Sequence, residues 1–255
     1  MTDLAARLKG VFVLAPLFIA AYVGNPLLAI ALAIVVILMS YELSSLLAPQ
    51  TMNSLGLTIL FLLGAGAGCL AEFMPSFAPI GIGMMACILF SVIRFKAGML
   101  QACFAVTVML CMSSVSYLLF FDKIQPLIIS LALIVAASDM GAYFIGRFIG
   151  GAKLAPTISP GKTISGAVGG LVSALIIAWL LSDYVSFLNL PVILIGLFCG
   201  VFSQVGDLFE SAFKRKMNIK DSSQLIPGHG GVLDRFDGYL FLLPLVAIWL
   251  GRGGI

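Results

Sequence analysis

SQVGDLFESAFKRKMNIKDSSQLIPGHGGVLDRFD, residues 203–237, holds ten of the chain's 25 charged side chains and its single histidine. An apolar run from Leu188 to Phe202 enters this stretch, and another from Tyr239 to Leu250 leaves it. A charged group at membrane depth costs roughly +2.5 to +3.5 kcal/mol on insertion scales. Both signs gathered at the ends of two apolar runs therefore mark a border between lipid and water, and point to use on a ligand.

Working outward, 61% of the 255 residues are hydrophobic and 10% are charged, with a mean hydropathy of +1.16. A soluble domain carries about 25% charged residues, so this composition excludes a single water-soluble core. The apolar segments are continuous rather than alternating, which argues against a β-barrel. The fold class is all-α, a polytopic integral membrane protein. A span needs about 20 mostly apolar residues, and candidates fall at 11–23, 26–43, 55–72, 77–93, 99–120, 125–148, 163–182, 190–213 and 237–251, about nine in all. One broken helix in place of the first pair, at Gly24-Asn25-Pro26, is the main alternative count. The short basic N-terminus resembles a signal-peptide start, but the first apolar run reads as a retained span. A single membrane domain is expected over 1–255, with residues 1–94 as an N-terminal sub-bundle and 125–251 as the catalytic helices and loops.

With the N-terminus placed in the cytoplasm, Arg7, Lys9, Arg94, Lys96, Arg147, Lys153, Lys162, Lys214, Arg215, Lys216, Lys220 and Arg235 share that side. Lys123 and Arg252 fall opposite. This bias follows the positive-inside rule and puts residues 203–237 on the cytoplasmic face of the inner or cytoplasmic membrane. The five cysteines lie inside apolar runs without metal-type spacing and read as small hydrophobic residues. Glu42 and Glu72, each alone at the end of a span, read as solvated boundary residues.

On a helix ending near Lys216, Asp207, Glu210, Ser211 and Lys214 stand at i, i+3, i+4 and i+7, one face. Pro227, Gly228, His229, Gly230 and Gly231 form a loop whose bare amides can approach an anion. Asp234 and Asp237 follow three residues apart around Arg235. Two groups of carboxylates, a basic cluster and a glycine-rich loop suit a polyphosphate with Mg²⁺, which takes carboxylate oxygens and shares phosphate oxygens. Upstream, Asp139, Tyr143, Gly146 and Gly150 recur at helical spacing as an interior stripe. The loop Ser159-Pro160-Gly161-Lys162-Thr163 comes next. It is no phosphate-binding P-loop, because Pro156 stands where GxxxxGK[ST] requires its first glycine.

The run Ser211-Ala-Phe-Lys214-Arg215, Lys220-Asp221 and Pro227-Gly-His229-Gly-Gly-Val-Leu-Asp234-Arg235-Phe-Asp237 resembles the signature of the phosphatidate cytidylyltransferase (CDP-diacylglycerol synthase) family. Asp139/Tyr143/Gly146-Arg147, Ser159-Pro160-x-Lys162-Thr163 and Ser203-Gln204-x-Gly206-Asp207 are similar to it too. The resemblance is sharp from Ser138 to Asp237; before that it rests on length and hydropathy.

The resemblance implies an integral membrane enzyme that joins CTP to phosphatidate and releases pyrophosphate. It implies Mg²⁺, a monovalent cation such as K⁺, the bilayer as partner, no nucleic acid, and a homodimer. Asp207, Asp234 and Asp237 become the metal acids. Asp207, Asp234, Lys214 and His229 become the catalytic set. Asp139, Ser159, Lys162, Thr163, Arg215, Lys220, Asp221 and Arg235 become substrate contacts. Many members carry Glu where this chain has Ser165, so Ser165 stays outside the site. The competing readings are a secondary transporter or channel, with Asp139 binding ions, and another CTP-dependent lipid-phosphate enzyme. The DGxxAR pattern of CDP-alcohol phosphatidyltransferases is absent.

Overall fold

The computed structural model describes residues 23, 27–47, 99–118, 124–185, 190–226 and 230–251. The expected spans at 11–23, 55–72 and 77–93 fall wholly or almost wholly outside these residues, as does most of the expected sub-bundle 1–94. Described elements are α1 (Leu27–Leu47), α2 (Met99–Leu118), α3 (Ile124–Ile149), β1 (Lys153–Ala155), β2 (Ser159–Thr163), α4 (Ile164–Leu180), α5 (Ser182–Val185), α6 (Val192–Lys216), α7 (Leu233–Phe236), a 3-10 turn (Asp237–Tyr239) and α8 (Leu242–Gly251). The protein is thus nearly all α-helical, and three of these helices are long and apolar enough to cross a membrane: Leu27–Leu47, Gln125–Ile149 and Val192–Lys216. Phe148 and Ile193 stand 93% and 71% exposed on two of these helices, and Trp179 stands 70% exposed on the shorter apolar helix α4. Large apolar side chains turned outward in this way are expected against lipid, not water.

The chain divides into two compact units. The first comprises residues up to Asp122 together with Met217–Phe236. In α1, Leu28, Leu32, Val36, Met39, Leu43 and Leu47 are buried. This is one helical stripe, and it packs on α2. Ser40 Oγ donates to Val36 O at 2.7 Å and contacts Met112 Sδ at 3.3 Å. Thr107 and Ser114 donate back to Cys103 O and Leu110 O. Each of these three buried hydroxyls is therefore satisfied within about one turn of its own helix, as an apolar setting demands.

Glu42 departs from the sequence expectation. It is fully buried rather than solvated. Its Oε1 accepts from Ser223 Oγ (2.6 Å) and Val232 N (2.8 Å), and its Oε2 from Ser222 Oγ (3.2 Å) and Leu233 N (2.8 Å). A buried carboxylate is tolerable only with such a complement of donors.

The second unit comprises Lys123–Lys216 and residues from Asp237 onward. Pro126, tolerated in the first turn of a helix, opens α3. The helix closes on Gly150 and Gly151, both at positive φ (67° and 97°). Gly150 N caps Gly146 O at 3.0 Å, a glycine stop of the usual left-handed kind. Gly150 therefore lies beyond the helix and not on the expected helical stripe. The axes of α3 and α4 approach closely because glycines face each other: a Cβ on Gly166 would meet Ala142 O and Gly146 Cα, and one on Gly169 would meet Ile145. Gly196 and Gly200 seat α6 on Leu175, Ala178, Leu171 and Ala174 of α4 in the same manner.

A second departure is the hairpin. The loop expected at Ser159–Thr163 is strand β2, antiparallel to β1, with Lys153 opposite Thr163 and Ala155 opposite Ser159. Ile158 N to Ala155 O (3.2 Å) closes its turn, and Arg215 Nε from the end of α6 donates to Ile158 O at 3.2 Å. Thr163 then caps α4, its Oγ1 accepting from Gly166 N at 3.1 Å. Ser165 Oγ donates to Gly150 O, tying the start of α4 to the end of α3.

Candidate active site

The second unit contains a cavity of about 560 Å³. Three local structures supply its polar lining, and Gly166 and Ala167 of α4 complete it. The last turns of α3 supply Asp139, Tyr143, Gly146 and Arg147, the hairpin supplies Lys153, Lys162 and Thr163, and α6 supplies Gln204 and Asp207. Arg147 Nη1 donates to Tyr143 Oη at 2.8 Å, one helical turn back. Gln204 Nε2 donates to Ala167 O at 3.0 Å, which fixes its amide on α4. Gln204 was not among the sequence candidates, although its place beside the Gly206-Asp207 pair was a usable signal.

The electrostatics alternate in sign. Lys162 Nζ lies 2.5 Å from Asp207 Oδ2, both about one-third exposed. Asp207 Oδ1 accepts from Ser211 Oγ at 3.3 Å, and Lys214 Nζ lies 3.2 Å from buried Glu210. The four polar groups read on one helical face therefore engage as i, i+4 pairs. Asp237, in the 3-10 turn ahead of α8, accepts from Gly238 N at 2.7 Å on Oδ1 and lies within electrostatic range of Asp207, Asp139 and Lys214. Carboxylates gathered in this way mark a place where added positive charge is favourable.

Among the described residues no three His, Cys, Asp or Glu side chains gather into a ready-made metal cage. Mg²⁺ does not need one, because it is commonly held by one or two carboxylates and completes its shell with phosphate and water oxygens. Asp207 and Asp237 fit that donor set. The hard carboxylate chemistry fits, and the cations Arg147, Lys153 and Lys162 fit the phosphates that would share the ion.

In the first unit the signature builds a loop. Asp234 is buried; its Oδ2 accepts from Ser222 N (2.9 Å), Ser222 Oγ (3.0 Å) and Gly231 N (2.7 Å), and its Oδ1 from Ser222 N (3.1 Å). Ile226 N donates to Gly230 O at 2.8 Å, closing the loop at its base. Gly230 has φ 80°, and a Cβ there would strike Asp234 Oδ2. Lys220, Asp221 and Arg235 are exposed on this unit. His229, with Pro227 and Gly228, lies outside the described residues. Of the remaining candidates, Ser159 sits in β2 opposite Ala155, away from the cavity lining, and Arg215 holds the hairpin turn.

The sequence model of the Cytidylyltransferase family matches residues 5–251. Over 121 residues the chain is 48% identical to the phosphatidate cytidylyltransferase of Staphylococcus haemolyticus, 46% of each chain being covered. It is 49% identical over 117 residues to that of Bacillus subtilis, covering 45% of this chain and 43% of the relative. It is 43% identical over 150 residues to that of Staphylococcus aureus strain COL, covering 55% and 58%. The chain thus spans about half the length of the curated relatives it matches. The family match runs through both units, from before α1 to the end of α8, and the chain belongs to the Cytidylyltransferase family.

Proposed function

We propose that this protein transfers a cytidylyl group from CTP to phosphatidate, giving CDP-diacylglycerol and pyrophosphate for phospholipid synthesis. The observation that carries the reading is the 560 Å³ cavity lined by Arg147, Lys153 and Lys162 together with Asp139 and Asp207, in a chain of the Cytidylyltransferase family. Its volume lies within the roughly 300–1,000 Å³ of small-molecule sites.

In the proposed reaction an oxygen of the lipid phosphate attacks the α-phosphorus of CTP in line. The new P–O bond forms as the α–β bond breaks, and the electron pair leaves with pyrophosphate. The phosphate monoester is already largely dianionic near neutral pH, so no strong general base is required. The obstacle is bringing two polyanions together, and the catalysis is positioning plus electrostatics. Lys162 leaves Asp207 for a phosphate oxygen, Arg147 and Lys153 hold further phosphate oxygens, and Thr163 and Gln204 orient the ligand. Asp207 and Asp237 would hold Mg²⁺, which when bound would supply charge neutralisation at the phosphates. The signature adds Asp234 to the metal-binding acids, with a monovalent cation such as K⁺ as accompanying ion. It adds Lys214, Arg215, Lys220, Asp221 and Arg235 as charge partners, Ser159 as a substrate contact, and His229 as the group that orients a phosphate.

The same reading has nine spans, a cytoplasmic catalytic face and a homodimer, with the diacyl tails remaining in the bilayer. The test is α-labelled CTP with phosphatidate, detergent and Mg²⁺. Label entering the organic phase, with pyrophosphate released in equal amount, is the expected result. Vectorial flux without conversion would support a transporter instead.

A further inference from the structure

We propose that Glu42 is a positioning residue for the transfer reaction, holding the glycine-rich signature loop in register from a helix some 190 residues upstream. The inference rests on the reaction proposed above, but its evidence is separate. Glu42 is buried in α1 and receives four neutral donors, two on each oxygen. An apolar residue at that position would pack into the same helix stripe at no desolvation cost. A buried, fully satisfied polar network instead specifies one geometry over its neighbours.

What Glu42 specifies is readable from its donors. Val232 N and Leu233 N are consecutive amides where the loop turns into α7. Such amides at a helix start have no partner within the helix and must be held from outside. The carboxylate spans both, so it fixes the direction in which the chain leaves Gly231. One residue on, Asp234 fastens the same loop from the other side through Gly231 N and Ser222 N. Ser222 Oγ stands between the two carboxylates, 3.2 Å from Glu42 and 3.0 Å from Asp234. Its single proton serves one of them at a time, so the two acids are linked.

Gly231 confirms how close this approach is. A Cβ there would lie 2.6 Å from both Glu42 oxygens and would overlap Ser222 Oγ. Gly231 φ is not positive, so the need for glycine here comes from Glu42 and Ser222 and not from backbone conformation. The second glycine of the signature pair is thus a consequence of a residue outside the signature. Glu42 touches no substrate in this assignment; it acts through the orientation of Asp234 and Arg235.

The test uses full-length protein in detergent or nanodiscs, with Glu42→Gln, Glu42→Asp and Ser223→Ala. In Glu42→Gln one oxygen becomes an NH₂ group that cannot accept from an amide, so one face of the contact is lost without loss of volume. The expected results are a fall in kcat of about tenfold or more with KM for CTP within about twofold, since a full misplacement of about 1 Å can cost about 10²-fold and the loop is expected to shift by less. Amide exchange at Val232 and Leu233 should quicken about tenfold or more while α2 amides stay protected. Glu42→Asp, which keeps both acceptors, should recover part of kcat.

A purely structural residue would lower the melting temperature and the folded fraction but leave kcat per folded enzyme unchanged. That result, or unchanged exchange at Val232 and Leu233, overturns the proposal. If Glu42→Gln does not fold, Ser223→Ala decides: it removes one donor at 2.6 Å, and an unaltered kcat there overturns the proposal. If wild-type protein moves no label from CTP, the assigned reaction fails, while the exchange readout still decides whether Glu42 holds the loop.

Discussion

Replacing Gly206 with alanine tests how the second unit places Asp237. Gly206 lies on α6, and a methyl group built there would overlap the carbonyl oxygen of Asp237. To reach ordinary carbon–oxygen contact the two must separate by about 1 Å. The helix cannot supply that movement, because Gly196 and Gly200 already seat it against the backbone and small side chains of α4. The 3-10 turn must move instead, straining the 3.3 Å bond from Leu240 N to Asp237 O. Overpacking of this kind costs roughly 1–3 kcal/mol, so the variant should fold with a lowered melting temperature. Because a displacement near 1 Å at a reacting centre costs about 10²-fold, kcat for Mg²⁺-dependent cytidylyl transfer should fall by that order. Gly200→Ala is the control: its methyl would meet the Leu171 Cδ2 and Ala174 Cβ side-chain atoms at 3.0 and 3.1 Å. Leu171 can turn aside and Ala174 needs to give by only a few tenths of an ångström, far from Asp237, so that variant should keep wild-type kcat. A folded Gly206→Ala enzyme with unaltered kcat, or a Gly200→Ala enzyme equally impaired, would refute the reasoning.

Asp207→Asn should lower kcat by about 10²–10³, the scale for removing one charge-stabilising group, with little change in melting temperature because Asp207 is partly exposed. Lys162→Met should raise KM for CTP about tenfold through loss of one charge-assisted phosphate contact, measured by initial rates against CTP concentration. Arg215→Ala should release the hairpin turn at Ile158, seen as amide exchange across 153–163 quickening several-fold. EDTA should abolish transfer and added Mg²⁺ should restore it, read in the same labelled-CTP assay.

The features legible in sequence are the local ones. Helices α3, α4 and α6 follow the apolar runs to within a few residues, because burial in lipid needs only a continuous run. The Asp207–Ser211 and Glu210–Lys214 contacts follow from helical periodicity alone. The hairpin at 153–163 was hidden because Pro160 and Gly161 are poor strand formers, and its pairing depends on α4 and Arg215 as neighbours. The helical stripe drawn through Gly150 failed because two adjacent glycines stop α3. Glu42 was misread for a deeper reason. Its donors lie 180 to 191 residues away in the chain, and nothing local to an apolar run says which loop folds onto it. Of the cavity lining, Asp139, Lys162, Thr163 and Asp207 read as site candidates, whereas Arg147 and Lys153 read only as basic residues of one membrane side and Gln204 only as a motif neighbour of Gly206-Asp207.

Binding of CTP to the purified protein, measured by calorimetry with and without Mg²⁺, tests the account most directly. Wild-type protein should bind CTP in the presence of Mg²⁺ and lose at least about tenfold in affinity in EDTA or on Asp207→Asn, the share expected of a charge-assisted contact. Equal, metal-independent affinity in the wild type and in Asp207→Asn would contradict it.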